Sequence, residues 1–413
     1  MTELFIHNIS ELVTLEPLAF QKKVVEIENK DLGTYHNAWL WIKDGKIFGY
    51  GDKETKPDFK ICENIIDAKQ KLILPGLIDS HTHPLYAGSR HDEFAMRLDG
   101  KTYQEIAQAG GGIKATVRAT REASDETLLE LARKRFKNFL SKGVTTIEAK
   151  SGYGLSPSEE IRELEILNYA AQETNQLVIT TCLGLHALPP EFKDNKAFVK
   201  LLTDELLPEV ASRKLAMYVD AFIENGYFTV SDCEPYFQKA SDLGLKIRIH
   251  ADEFSDAGAA SAAAQWQASS ADHLQFASDD GISLMAEKGV IATLLPGTSL
   301  YTTIPFTQAR RFIQRGCGIA LATDFNPGSC LVDNLAMMAT IGALHCGLKA
   351  AEAIAAVTYV PAVSLGLGHH KGALAKGYDA DFLIYDVESA TEWLADMGRT
   401  KPSKVWIQGV QQI

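Results

Sequence analysis

The chain has 413 residues, 46% of them hydrophobic and 23% charged, and carries a formal net charge of -12. That composition belongs to a soluble globular protein with a sizeable core, and the length suits one large α/β barrel with an appendage, or two to three ordinary domains. The acidic balance argues against nucleic acid or an anionic membrane as the main partner, because both attract basic surfaces.

The N-terminus, MTELFIHNIS, places an acid at Glu3 and lacks the basic-then-apolar pattern of a secretory leader. No apolar run approaches the roughly 20 residues of a membrane span. The six cysteines, at 62, 182, 233, 317, 330 and 346, form no Cys-x-x-Cys pair and no dense framework. They read as reduced thiols, and the protein as cytoplasmic.

Residues 1–70 carry short strand-like runs, Leu4 to His7, Ala38 to Ile42 and Lys46 to Tyr50, parted by polar turns such as Asp44-Gly45. The tail, 371–413, repeats the style in Asp381 to Tyr385 and Lys404 to Ile407. Neither end shows long helical periodicity, so the two are expected to meet as one small β-sandwich domain. Between them, residues 71–370 alternate apolar runs with amphipathic helical stretches. The strand candidates are Leu72 to His83, Val144 to Ser151, Leu177 to His186, Ala216 to Glu224, Lys246 to Glu253, Ala271 to Gln275, Val290 to Pro296 and Gly318 to Asp324. Helices are expected at 125–141, 157–172, 196–209 and 279–288, with two more near 334–346 and 350–365 closing the block. Such alternation implies parallel strands joined by right-handed crossovers. Eight of them make the fold class α/β, a (β/α)8 TIM-like barrel with its active site at the C-terminal strand ends. The alternative is an open doubly wound sheet, but no Gly-x-Gly-x-x-Gly turn follows the first strand to support it.

The strand ends carry the chemistry. His81 and His83 lie two residues apart on one strand and so share a face, which makes them half of a metal site. The fifth strand ends in His250 and the eighth in Asp324. Three nitrogens and one carboxylate suit zinc or ferrous iron with a position left for water, and such an ion makes water acidic enough to supply hydroxide near neutral pH. His273 on the sixth strand, His186 ending the third, Tyr153 after the second and Glu253 beyond His250 collect at the same rim. Arg90, in the loop after the first strand, offers a guanidinium for a substrate carboxylate or pairs with Asp92 or Glu93. The loop Phe325 to Cys330 presents Asn326, Ser329 and backbone donors near Gly328 to a second polar end of a substrate. The triple glycine at 110–112 reads as an anion cradle or a flexible turn. A carboxylated lysine bridging two ions is expected on the fourth strand, which has no lysine; Lys150 is on the second, so one ion is expected.

These features resemble the amidohydrolase superfamily. More narrowly, residues 88–124, EAKSGYGL (148–155), HADEFSDAG (250–258), SADHLQF (270–276), LLPGTS (294–299) and ATDFNPGS (322–329) are similar to its imidazolonepropionase family over nearly the whole chain. The resemblance implies a hydrolase acting on a C–N bond of a cyclic amide in histidine degradation, opening 4-imidazolone-5-propanoate to N-formimidoyl-L-glutamate by attack of metal-activated water on the ring carbonyl. It implies one zinc or iron ion per subunit on His81, His83, His250 and Asp324. It also implies that Arg90, Tyr153, His186, Glu253, Asn326, Gly328 and Ser329 surround a small anionic substrate, in a homodimer. Asp324, His273 and Glu253 are the candidates for proton transfer, with the base left open among them. Pro84-Leu85-Tyr86 and Ile223-Glu224-Asn225 are less usual for the family and leave loop contacts open. The rival readings are deamination of a cyclic amidine such as a nucleobase, or a catalytically dead scaffold; the joint presence of Asp324, Glu253 and His273 speaks against the latter.

Overall fold

Eight parallel strands in sequential order form the centre of the computed structural model, which describes residues 3–21, 24–58, 62, 64–101, 105 and 111–413. The barrel strands are Leu77–Asp79, Val144–Lys150, Leu177–Leu185, Tyr218–Ile223, Lys246–Ala251, Ser270–His273, Ile291–Leu294 and Ile319–Leu321. Every adjacent pair is parallel. The last and first strands meet beyond their ladders. Asp324 N donates to His81 O (3.1 Å), His83 N donates to Phe325 O (2.9 Å), and Thr82 bridges Phe325. Asp79 reinforces this seam by accepting from Thr323 N (3.2 Å) and Thr323 Oγ1 (2.7 Å).

The intervening helices start where local chemistry dictates. Ser124 Oγ accepts from Thr127 N at the head of Asp125–Ser141, and Ser156 Oγ accepts from Glu159 N at the head of Pro157–Gln172, where Pro157 costs no hydrogen bond. The helix expected over 196–209 runs further, as Asn195–Leu201, a wide turn at Leu202–Leu206, and Leu207–Ser212. Pro208 lacks an N–H and its ring crowds the preceding turn, which accounts for the widening. The stretch 350–365 is two short helices, Ala350–Ala355 and Tyr359–Ser364.

One expected strand is two. The run Leu72 to His83 breaks at Gly76, where a β-carbon would sit 2.7 Å from Thr145 Cγ2 and closer to its hydroxyl. Upstream, Asn64–Pro75 belongs to the second sheet, and only Leu77–Asp79 enters the barrel. That second sheet draws on both termini, as expected, and has seven strands in the order Val410–Gln411, Pro402–Ile407, Phe382–Tyr385, Asn64–Pro75, Glu3–Val13, Thr34–Lys43 and Lys46–Gly51. Alternation along its strands divides its faces. Leu72, Leu74, Leu383 and Tyr385 join the barrel core, whereas Ile73, Phe382 and Ile384 pack with Leu4, Ile6, Leu40 and Ile42. Among the described residues no helix is long and apolar enough to cross a membrane, and all six cysteines are buried and outside any disulfide.

Candidate active site

His81, His83, His250 and Asp324 meet at the C-terminal end of the barrel, across its seam. Asp324 Oδ1 lies 3.4 Å from His81 Nε2 and 3.4 Å from His83 Nε2, and His83 Nε2 lies 3.4 Å from His250 Nε2. Metal arms of 2.0–2.1 Å at tetrahedral angles put neighbouring donors about 3.3–3.4 Å apart. Those three spacings match the donors of one ion, and His81, His83 and His250 together form a group that could hold one. The far ring nitrogens of two histidines are already committed: His81 Nδ1 contacts Asp272 Oδ2 (2.7 Å) and His250 Nδ1 contacts Asp220 Oδ1 (3.1 Å). Those carboxylates fix the rings with Nε2 turned inward, the usual arrangement behind ligating histidines. His273 stands in the same cluster, its donor atom within 4.8 Å of those of His81 and Asp324. Both His273 (φ 78°) and Asp324 (φ 51°) adopt left-handed backbone at their strand ends, a strain that clusters at functional sites.

Burial and neighbouring charge divide the protons unequally. Burial would raise the Asp324 carboxyl, but hydrogen bonds from His81 and His83 hold it well below the usual carboxylate range; its Oδ2 accepts from Thr298 Oγ1. Glu253 is pushed the other way, well above its ordinary value, by burial first and then by the charges of Asp324 and Glu224. Burial lowers His273 and His186 well below the ordinary imidazole value, so both are neutral. His83 falls to about 4 through burial, while His81, against the same burial, is raised to about 9 by Asp272 and Asp324. His273 Nδ1 stands 3.7 Å from Glu253 Oε1.

The residues expected around the substrate divide into two groups. Tyr153 is buried with its ring 5.3 Å from that of His186, and His186 stacks on His83 at 5.4 Å. His186 Nδ1 donates to Gly152 O (2.9 Å). Burial raises the Tyr153 hydroxyl well above its ordinary value, so it stays a neutral donor. Arg90 does pair with Glu93, through Nε and Nη2 at 2.9 Å, while its Nη1 edge faces Gly328. Asn326 is used differently from the expectation of a free amide. Its Nδ2 donates to Asp324 O and Ser329 Oγ (both 2.7 Å), and its Oδ1 accepts from Gly328 N (2.8 Å) and Ser329 N (2.7 Å). It shapes the loop that carries Gly328 and Ser329. Of the triple glycine, Gly110 lies outside the described residues, as do 102–104 and 106–109; Gly112 N donates to Glu93 Oε1 (2.8 Å).

The model of the amidohydrolase family matches residues 72–411. Imidazolonepropionase from Geobacillus sp. (strain WCH70) is 44% identical, covering 96% of this chain and 95% of that protein, and imidazolonepropionase from Alkaliphilus oremlandii is 40% identical over 93% and 92%. The chain belongs to the amidohydrolase family, among the imidazolonepropionases. Solved structures agree on the fold. A triazine hydrolase variant superposes with a TM-score of 0.76 at 16% identity over 100% of this chain and 95% of that one. An adenosine deaminase from Xanthomonas campestris with bound zinc gives 0.71 at 15% identity over 99% and 92%.

The amidohydrolase site also contains groups that motif reading passed over. Asp220 and Asp272, which orient two imidazoles, and Arg248, which donates to Ser80 O (2.8 Å), are fully buried on barrel strands. Their signal was in the sequence: an isolated charge within an apolar strand, or two residues before a strand-end histidine, points into a barrel rather than to solvent.

Proposed function

We propose that this amidohydrolase opens the ring of 4-imidazolone-5-propanoate by hydrolysis, giving N-formimidoyl-L-glutamate in the degradation of histidine. The observation that carries this reading is the meeting of His81, His83, His250 and Asp324 at the strand ends, with 3.4 Å from Asp324 to His81 and to His83 and from His83 to His250, and with Glu253 buried beside His273. His81, His83, His250 and Asp324 hold one divalent ion, zinc or ferrous iron. Such an ion supplies Lewis acidity, bringing the pKa of water close to 7.

The remaining steps belong to the chain. Water adds to the ring carbonyl carbon, and its proton goes to the ionised Asp324, which Thr298 and the histidines hold in place. The amide C–N bond breaks, and the departing nitrogen takes a proton from Glu253, whose protonated form burial favours. His273, neutral and 3.7 Å from Glu253, relays protons between the two carboxyls. Arg90 pairs with the propanoate carboxylate through the edge that Glu93 leaves open, and Tyr153, His186 and the backbone at Gly328 and Ser329 donate to the rest of the substrate.

We read residues 1–70 with 371–413 as one structural unit and 71–370 as the catalytic barrel, Leu72 to Pro75 handing the chain from one to the other. The working form is a cytoplasmic homodimer that engages neither nucleic acid nor membrane. Metal analysis of the purified protein, paired with the decay of imidazolone absorbance, tests the assignment. One equivalent of zinc or iron with ion-dependent decay is expected. Ammonia release from a purine or pyrimidine without imidazolone decay would replace it with deamination.

A further inference from the structure

Beneath the histidine cluster the barrel interior holds a layer of fully buried ionisable groups that includes Glu148 and Lys150 on the second strand, Asp220 on the fourth, Arg248 on the fifth and Asp272 on the sixth. Glu148 and Lys150 share a face by alternation, as do Arg248 and His250. Lys150 Nζ donates to Glu148 Oε1 (2.8 Å) and to Asp220 Oδ2 (2.8 Å). The other oxygen of Asp220 takes both the backbone N–H and the ring Nδ1 of His250, each at 3.1 Å. A parallel arm runs from Arg248 Nη2 through Asp272 Oδ2 (3.4 Å) to His81 Nδ1 (2.7 Å).

Stability alone does not call for this layer, since buried ions lose hydration and apolar residues of the same volume fill a barrel at least as well. Position supplies the reason. Lys150 donates to both Glu148 and Asp220, and without it two carboxylates would face each other across the space it fills and repel. Asp220 would then turn from the His250 ring. Carboxylation of Nζ would add a third anion between these two, so the group acts as an ammonium.

We propose that Lys150 is a positioning residue for the ion site, its ammonium locking the Asp220 carboxylate that sets the orientation of His250. The proposal rests on the reading that His81, His83, His250 and Asp324 hold a divalent ion. The test is zinc affinity, measured on the full-length protein stripped of metal and titrated with zinc against a fluorescent chelator. Thermal melts of the zinc-free proteins check the fold. Lys150→Met and Asp220→Asn are each expected to weaken zinc about 10- to 100-fold, the usual effect of losing a partner behind a ligand. The double variant is expected to be no weaker than Asp220→Asn alone, because both changes break one chain of contacts. Wild-type affinity in Lys150→Met, or losses that multiply in the double variant, would overturn the proposal. Should Lys150→Met fail to fold, Lys150→Gln is read by the same two criteria. A wild-type protein that takes up no zinc would instead refute the ion site and leave Lys150 as a structural ion pair.

Discussion

Gly328 is where substrate charge recognition can be altered without touching a charge. Its backbone lies outside the left-handed region, so alanine is conformationally acceptable there. A methyl group at that point, however, would sit 2.7 Å from Arg90 Cζ and overlap Nη1. Glu93 anchors the other edge of the guanidinium at 2.9 Å and is itself tied to Gly112 N at 2.8 Å. In Gly328→Ala, Arg90 must therefore leave its open edge or break from Glu93, and either move removes its pairing with a propanoate. A hydrogen bond to a charged group contributes about 1.5–3 kcal/mol, which is about 10- to 100-fold in kcat/KM. The carboxylate is remote from the reacting carbonyl and is held equally in ground and transition states, so the loss belongs in KM. Steady-state decay of imidazolone absorbance should show KM raised by that factor with kcat within about threefold. Arg90→Ala should do the same, and the double variant should be no worse than Arg90→Ala. An unchanged KM in Gly328→Ala or Arg90→Ala would refute the charge assignment.

Asp324→Ala should abolish turnover and weaken metal binding, because Asp324 is both ligand and proton acceptor in the proposed reaction; near-normal activity with the metal stripped would refute both roles. A chelator should remove activity from the wild type, and added zinc or ferrous iron should restore it; retention of activity after metal loss is verified by elemental analysis would refute the ion requirement. Glu160 offers a pH test away from the site. Fully buried, it is pushed from 4.5 up to about 7, with burial outweighing hydrogen bonds from Ser151 and Leu155. The folded state thus holds a proton that the unfolded chain has released, which stabilises the fold fully below about pH 4.5 and is lost as pH rises through about 7. Glu163, raised by burial and by the charge of Glu160, titrates together with it. Urea unfolding at pH 4.5 and pH 8 should show wild type losing more stability than Glu160→Gln, and parallel pH profiles would refute it.

What the chain discloses before folding depends on whether a side chain's role is local. His81 and His83 share a face by strand geometry alone, and His250 and Asp324 terminate apolar runs, so the ligand set could be assembled from strand ends without knowing any distance. The break at Gly76 was illegible because both halves of Leu72 to Asp79 are apolar and buried; only the approach of Thr145, 69 residues on, separates them. The same holds for Asn326. Its residue type is that of a ligand group, but which of its atoms are free depends on how the 324–329 loop closes on itself. Asp220 is the intermediate case. Its burial could be read from Tyr218 to Ile223, but its two partners, on the second and fifth strands, are brought to it only by the barrel.

The seam of the barrel explains why the ligands are distributed as they are. Strands one and eight make no regular ladder; they are joined by Asp79 with Thr323, and then by the backbone pairs Asp324 N to His81 O and His83 N to Phe325 O. Those backbone groups belong to ligand residues or adjoin them, so the closure of the barrel and the spacing of the donors are one set of contacts. An ion shared by His81, His83 and Asp324 would bind the two edges of the seam together, and its binding free energy would add to the stability of the closed barrel. The converse also holds. The contacts that close the seam also set the 3.4 Å spacings from Asp324 to His81 and His83, so closing the barrel preorganises these ligands. The acceptors behind His81 and His250 extend that preorganisation from the seam across the interior to the strands that carry Asp220 and Asp272.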